Sequence, residues 1–313
     1  MRVGILGYGN LGRALAEELD KTEHELVAVF SRREVIYEKH KILKREDIFN
    51  YKNQMDAVLI ATGSLTDAES DVMSLLPHFN TVDSFDMHKR IPSYKQKADR
   101  SAKENGHIAI ISAGWDPGLL SVARAMAKIS VGAENINTFW GVGKSLGHTS
   151  ALMKIDGVKY AVQYTVPNEE SLTLAKNTDA KLTDEDRHRR ECFIVSLPTA
   201  DRDKIEKTIK NMEGYFRGYE TLVHFIDESE FLRKHNKSNH RGEVISTEIS
   251  GGEKTQFDLK IKIPSNSDFT AKIMISYLNA INYLQNNRYF GAYTPFDIPV
   301  SLLIDEKSYN EII

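Results

Sequence analysis

Two sets of residues in this chain have types and spacings that could do chemistry. The first is Gly7-Tyr8-Gly9-Asn10-Leu11-Gly12, a G-x-G-x-x-G spacing. An apolar run (Val3, Ile5, Leu6) precedes it and helix-forming residues follow to Leu19, which is the strand–turn–helix setting of a dinucleotide phosphate site. Gly7 permits the tight turn, Gly9 lets the backbone approach a pyrophosphate, and Gly12 lets helix and strand pack closely. The helix start then offers N–H groups and a positive dipole end to the phosphates. The second set is acidic. Asp83 and Asp86 follow one apolar run and Asp116 follows another. Carboxylates gathered where a nicotinamide would lie suit a cationic substrate such as an amine. Each also has a local reading: Asp83 caps a turn, and Asp116 before Pro117 favours a turn by itself.

The kind of dinucleotide is written about 20 residues after the last glycine, where an NAD site carries an acid for the ribose. This chain has Phe30-Ser31-Arg32-Arg33 there. An acid would repel a 2′-phosphate, whereas a serine hydroxyl and two guanidiniums grip one. The stretch therefore favours NADP over NAD, with a solvated basic turn as the plain alternative.

Stepping outward, short apolar runs alternate with helical segments through the first part of the chain. Strands are expected at Leu26–Phe30, Ala57–Ala61, Thr81–Asp83 and Ile108–Ile111, and helices at Ala68–Leu76 and Pro92–Glu104; Glu34–Tyr51 reads as polar and irregular, with weak helical character. Such alternation implies a parallel sheet covered on both faces, with ligands beyond the carboxyl ends of the strands. Gly7–Gly12, Ser31–Arg33, Thr62–Ser64, Asp83–His88 and Ala113–Gly118 all fall at such ends. After Gly118 comes a helix, Leu119–Ile129, and then longer strands. Phe257, Leu259, Ile261 and Ile263 alternate with Asp258, Lys260 and Lys262, the period of a sheet with one solvated face. The fold class expected is α/β: an N-terminal Rossmann-type parallel sheet (residues 1–118) plus an α+β substrate-binding and dimerisation domain with a mixed sheet (119–288). Residues from about 289 to 313 are expected to pack back on the first domain. The mixed-charge run Asp184–Glu191 reads as a solvated face. Trp140 lies beside a glycine-rich loop, so it and Trp115 read either as core or as pocket wall.

Composition narrows the classes. The chain has 313 residues, enough for about two domains, and a net charge of −3, which gives no field suited to nucleic acid. No apolar run approaches the roughly 20 residues of a membrane span, and the first residues lack a signal peptide's pattern. The one cysteine, Cys192, allows no internal disulfide and suits a reducing cytoplasm. Its neighbours Phe193-Ile194-Val195 make it a core residue rather than a nucleophile. No His/Cys cluster has metal-ligand spacing.

With these stretches in hand, the chain closely resembles the meso-diaminopimelate D-dehydrogenase family. The resemblance rests on Gly7–Arg13, Phe30–Arg33, Gly114-Trp115-Asp116-Pro117-Gly118, Thr138-Phe139-Trp140-Gly141 and Ala161–Pro167. It continues in Arg190 with Cys192-Phe193, Phe225-Ile226-Asp227-Glu228 and Asp268-Phe269-Thr270-Ala271. It implies NADP-dependent, reversible oxidative deamination of meso-2,6-diaminopimelate at its D-centre, a step of lysine biosynthesis, by a homodimer. Carried onto this chain, Asp86 and Asp116 bind the amino group at the reacting centre. Trp140, Leu146 and Gly147 line the pocket, and Thr165, Arg190, His240 and Asn266 hold the distant L-centre. The cofactor falls to Gly7, Tyr8, Gly9, Asn10, Leu11, Gly12, Ser31, Arg32, Arg33, Thr62, Gly63 and Ser64. Ser84, Phe85, Asp86, Ala113, Gly114, Trp115, Asp116 and Pro117 complete that set. Glu243 departs from the histidine expected there. Two other readings share these motifs: an NADP-dependent dehydrogenase of another D-amino acid, and a non-catalytic NADP-binding sensor.

Overall fold

Apolar runs bounded by turn residues form the strands of the first sheet. In the computed structural model, which describes all residues except 34–38, 65–66, 236–239 and the side chain of Leu146, the elements begin with β1 (Arg2–Leu6), α1 (Asn10–Leu19), β2 (Glu25–Ser31) and β3 (Ile42–Lys44). They continue with β4 (Ala57–Ile60), α2 (Ala68–Leu75), β5 (Asn80–Asp83), α3 (Ile91–Asn105) and β6 (Ile108–Ile110). These strands pair in parallel in the spatial order β6-β5-β4-β1-β2-β3. The order reverses direction at β1 and β4, and a ligand crevice is expected outside the carboxyl ends of such a pair. All four residues of β4 are buried, as an uninterrupted Ala-Val-Leu-Ile run covered on both faces should be. The stretch read as irregular supplies the edge strand β3 and a 3-10 turn, Arg45–Tyr51.

The second unit follows α4 (Leu119–Val131), β7 (Asn137–Trp140), β8 (Gly143–Lys144), α5 (Leu146–Leu152), β9 (Val158–Pro167), α6 (Glu169–Asn177) and α7 (Asp184–Arg187). It goes on through β10 (His188–Ser196), α8 (Arg202–Lys210), β11 (Thr221–Phe225), α9 (Glu228–Lys234), β12 (His240–Ser250) and β13 (Glu253–Ile263). A four-stranded sheet has the order β11-β10-β9-β8, parallel at β10–β11 and antiparallel elsewhere. A three-stranded antiparallel sheet has the order β13-β12-β7. This is the mixed-sheet α+β half expected. Cys192 lies in the core with Leu152, Ile194, Ile205 and Phe216, and burial pushes its thiol up to about 12. A thiol kept neutral in that way packs and does not attack.

The chain then returns through α10 (Asn266–Asn286) and β14 (Gly291–Tyr293), which pairs in parallel with β6 and makes the first sheet seven-stranded. The compact units are Met1–Val122 with Ser267–Ile313, and Ala123–Asn266. The sequence reading began the return near residue 289; in the structure it begins with α10. Ala271, Met274, Ile275, Leu278 and Ile281 of that helix join the same core as Val3, Ile5 and Val29. Each large apolar side chain buried there contributes about 1.5–3 kcal/mol. A stripe at helical spacing reveals that a helix covers a sheet, but not which sheet.

Candidate active site

The strand ends of the first unit build a cleft of about 180 Å³, open to solvent and lined by Gly7, Tyr8, Gly9, Ser31, Arg32, Arg33, Thr62 and Gly63. Eight of the expected cofactor residues thus share one cleft. The turn needs its glycines. A Cβ on Gly12 would lie 2.1 Å from the Gly7 carbonyl oxygen, and Gly7 itself has a φ of +106°. Gly9 is the N-cap of α1, with no side-chain cap and open space where a Cβ would stand. The first amides of α1, from Asn10, Leu11 and Gly12, therefore meet no capping side chain, which fits a phosphate in that position. Ser31 is buried, and its hydroxyl oxygen accepts the Arg33 N–H at 3.1 Å, leaving the hydroxyl proton to donate. Arg32 pairs with Asp67 at 2.8 Å. These residues fit a dinucleotide with an added phosphate. Ser64 lies outside the cleft lining.

At the ends of β5 and β6 the structure decides between two expectations. Of the two readings of Asp83, as a crevice acid or as the cap of a turn, the second holds. Asp83 is fully buried, and its carboxylate accepts the Phe85 N–H (2.8 Å), the Ser112 N–H (2.9 Å) and the Tyr94 hydroxyl (2.6 Å). Burial raises its pKa against the pull of these three donors. Its work is to hold the two loops together: the Ala113 N–H donates to the Asp83 carbonyl at 2.7 Å, and a Cβ on Gly114 would lie 3.4 Å from Cβ of Ser84. Phe85 is buried against Tyr94, so only its backbone is available to a ligand. Ala113 and Pro117 are buried, and Trp115 and Asp116 are half-buried. Asp86 is exposed, and its carboxylate makes no hydrogen bond or ion pair among the described residues.

In the second unit a period of two organises the other half of the chemistry. His188, Arg190, Cys192 and Ile194 alternate along β10 and are buried, with Arg190 9% exposed. The run read as a solvated face is therefore solvated only in part, because β10 begins within it. Arg190 stands opposite Thr165 in the β9–β10 register and donates to its hydroxyl at 2.6 Å. Its guanidinium carbon lies 4.0 Å from the Tyr219 ring centroid. Among the described residues it has no carboxylate partner, and its Nε has no hydrogen-bond acceptor. A guanidinium keeps its charge even so, and a buried unpaired charge calls for a counter-ion.

His188 orders this neighbourhood. Its Nε2 accepts the Trp140 backbone N–H at 2.9 Å, so Nδ1 carries the proton and faces the Asp184 carbonyl at 3.1 Å. The imidazole stacks on the indole of Trp140 at 5.1 Å. Burial, aided by the charges of Arg190 and Arg187, pushes His188 down to about 4. His148 is likewise lowered to about 4, by burial and then by Arg190, with its Nδ1 2.6 Å from the Ser145 hydroxyl. Two neutral imidazoles thus border one cation. Gly143 pairs with Thr165, and His240 Nε2 lies 3.0 Å from the Lys144 carbonyl, which brings Trp140, Thr165, Arg190 and His240 onto adjoining strands. Gly147 is exposed in the first turn of α5; Leu146 opens that helix, and its side chain is outside the described residues. Asn266 is half-buried at the start of α10. Glu243 is engaged elsewhere, with Lys176 at 2.5 Å and Lys260 at 3.1 Å. Sequence reasoning passed over His188 and Tyr219. Reading the Cys192–Ile194 alternation backwards by twos reaches both Arg190 and His188, whereas Tyr219 left no comparable mark.

Residues 114–265 match the family of diaminopimelic acid dehydrogenase C-terminal domains. A meso-diaminopimelate D-dehydrogenase of Ureibacillus thermosphaericus is 40% identical over 310 residues, covering 97% of this chain and 95% of the relative. The chain belongs to the meso-diaminopimelate D-dehydrogenase family. Among solved structures, the C. glutamicum DAP dehydrogenase in complex with DAP superimposes with a TM-score of 0.92 at 36% identity, over 100% of this chain and 98% of that one. An engineered D-amino acid dehydrogenase bound to NADP+ gives 0.87 at 35% identity, again over 100% and 98%. Among the described residues no helix of this family member is long and apolar enough to cross a membrane, and no group of side chains could hold a metal ion.

Proposed function

We propose that the protein catalyses the reversible reaction of meso-2,6-diaminopimelate, NADP+ and water to L-2-amino-6-oxopimelate, ammonium, NADPH and a proton. The observation that carries this reading is Arg190: a buried guanidinium with no carboxylate in contact among the described residues suits the carboxylate at the end of the substrate that does not react. Thr165, His240 and Asn266 complete the hold on that L-configured end, with Trp140, Leu146 and Gly147 along the carbon chain. Asp86 and Asp116 bind the ammonium at the D-centre and orient its Cα–H, so that catalysis rests largely on positioning. Gly7–Gly12, Ser31–Arg33, Thr62–Ser64, Ser84–Asp86 and Ala113–Pro117 are the residues that would hold NADP, which when bound supplies the hydride acceptor. Gripping the L-end is what selects one hand of a molecule with two amino-acid termini.

The same reading sets the enzyme in the cytoplasm, as a homodimer. Met126 and Ile129, exposed on α4, are apolar surface of the kind a second copy would cover. Incubation of purified protein with NADP+ and meso-, LL- or DD-diaminopimelate, followed at 340 nm, tests the function. Turnover of the meso form alone is expected. Equal rates with simple D-amino acids would instead favour a broader D-amino acid dehydrogenase, and tight NADPH binding without any turnover would favour a sensor.

A further inference from the structure

Arg45 has no part in the reading above, yet it lines the same cleft as Ser31, Arg32, Arg33 and Thr62. Strand register explains why. β3 lies parallel to β2 with Lys44 opposite Ser31, so the next residue of each strand, Arg45 and Arg32, leaves the sheet at the same end. The two arginines differ in how they are held. Arg32 is 62% exposed and meets Asp67 at the surface. Arg45 is 30% exposed, and its Nη2 donates to Oδ1 of Asp71, whose side chain has no exposed area. The other oxygen of Asp71, Oδ2, accepts the Thr62 hydroxyl at 2.6 Å. Both oxygens of a buried carboxylate are thus spent on residues that line the cleft. The remaining N–H groups of Arg45 make no hydrogen bond among the described residues. A buried acid that fixes one edge of a guanidinium leaves its other donors pre-aimed, so less side-chain entropy is lost when an anion arrives.

We propose that Arg45, oriented by Asp71, is a further ligand of the 2′-phosphate of the cofactor's adenosine and so a determinant of NADP over NAD. The proposal rests on the NADP reading given above. A phosphate dianion has three acceptor oxygens, and Arg32 and Arg45 are each part-neutralised by an aspartate, Asp67 and Asp71. Recognition of the added phosphate then needs the guanidiniums jointly rather than any single one.

Calorimetric titration of the full chain with 2′,5′-ADP and 5′-AMP isolates the 2′-phosphate, since the two probes differ by that group alone; NADP+ and NAD+ are titrated beside them. Arg45→Met is expected to weaken 2′,5′-ADP and NADP+ by about tenfold, while 5′-AMP and NAD+ change by less than about twofold. Asp71→Asn should give a smaller loss on the same two ligands. The double variant Arg45→Met/Asp71→Asn removes the stranded buried charge as well, and it serves where Arg45→Met alone folds poorly. It should bind as Arg45→Met does, the mark of two residues acting as one. Equal losses for NAD+ and NADP+ would make Arg45 an adenine or ribose contact and overturn the proposal, as would unchanged affinity in a folded double variant. A wild-type protein that fails to prefer 2′,5′-ADP over 5′-AMP would overturn the NADP reading itself.

Discussion

In the nucleotide cleft, Gly7 and Gly12 act through the path of the backbone along a single turn, where a Cβ would run into the carbonyl oxygen of Ala61 or of Gly7. Around Arg190 the chemistry is made by side chains on β7, β9 and β10, and the strand register, not a contiguous motif, brings Thr165 and His188 to their partners. The glycine turn itself is local, although the cleft around it also draws on the β2–β3 register that places Arg45 beside Arg32. The Arg190 site is only as good as the alignment of strands distant in sequence, and a slip of one residue would turn Arg190 to the opposite face. What the local turn offers is room for a dinucleotide phosphate beside a helix start; what the register offers around Arg190 is a buried cation bordered by neutral rings.

The comparison can be broken by substitutions that should each strike one side only. The largest effect is expected from Arg190→Met. It leaves a substrate carboxylate without its partner and should lower kcat/KM for meso-diaminopimelate about 1000-fold, chiefly through KM, with NADPH affinity within about twofold. Steady-state kinetics together with NADPH fluorescence titration measure both quantities; unchanged turnover would remove Arg190 from the substrate site. Next comes Arg32→Ala with Arg33→Ala, expected to weaken NADP+ by roughly 30-fold and NAD+ far less, with the KM for diaminopimelate at saturating cofactor held. Parallel losses for both nucleotides would argue against a 2′-phosphate role.

The smallest effect at neutral pH sharpens the comparison from the side of stability. His148 and His188 lie at about 4 in the folded protein, below their ordinary value. The unfolded chain therefore binds more protons than the folded one once pH drops below about 6.5, so stability is present above that value and is lost as pH falls toward 4. Each ring contributes a slope approaching about 1.4 kcal/mol per pH unit in that window. Melting curves between pH 6.5 and 5 should show the fall, and His188→Gln should make it shallower. An identical slope in that variant would mean that His188 is not held neutral by its surroundings.

Much of the first unit was legible in the sequence, because parallel strands buried on both faces write themselves as short apolar runs and because glycine is required where a φ is positive or a carbonyl comes close. Ser31, Arg32 and Arg33 were legible for the same reason, at a fixed distance along one motif. Asp83 was left between two readings because a carboxylate at a strand end looks alike whether it faces a ligand or ties a turn, and only the Phe85, Ser112 and Tyr94 donors decide. His188 was hidden in a run of charges whose average hid the alternation within it. Arg45 was hidden by composition: a polar stretch gave no sign that Lys44 would pair beside Ser31. Family resemblance supplied Arg190, His240 and Asn266, which no spacing in the chain could have joined.

The first sheet is finished by α10 and β14, and this has a consequence for biosynthesis. As the chain leaves the ribosome, Ala123–Asn266 is complete before the helix that buries Val3 and Ile5 has been made. The usual vectorial order, in which the leading domain is complete first, does not apply to this chain, whose leading unit receives α10 and β14 only at the end of translation. The nascent nucleotide-binding half must carry an uncovered apolar face through the translation of the whole second unit. A ribosome stalled before α10 would hold a first sheet still without its seventh strand and one covering helix, an apolar face open to aggregation.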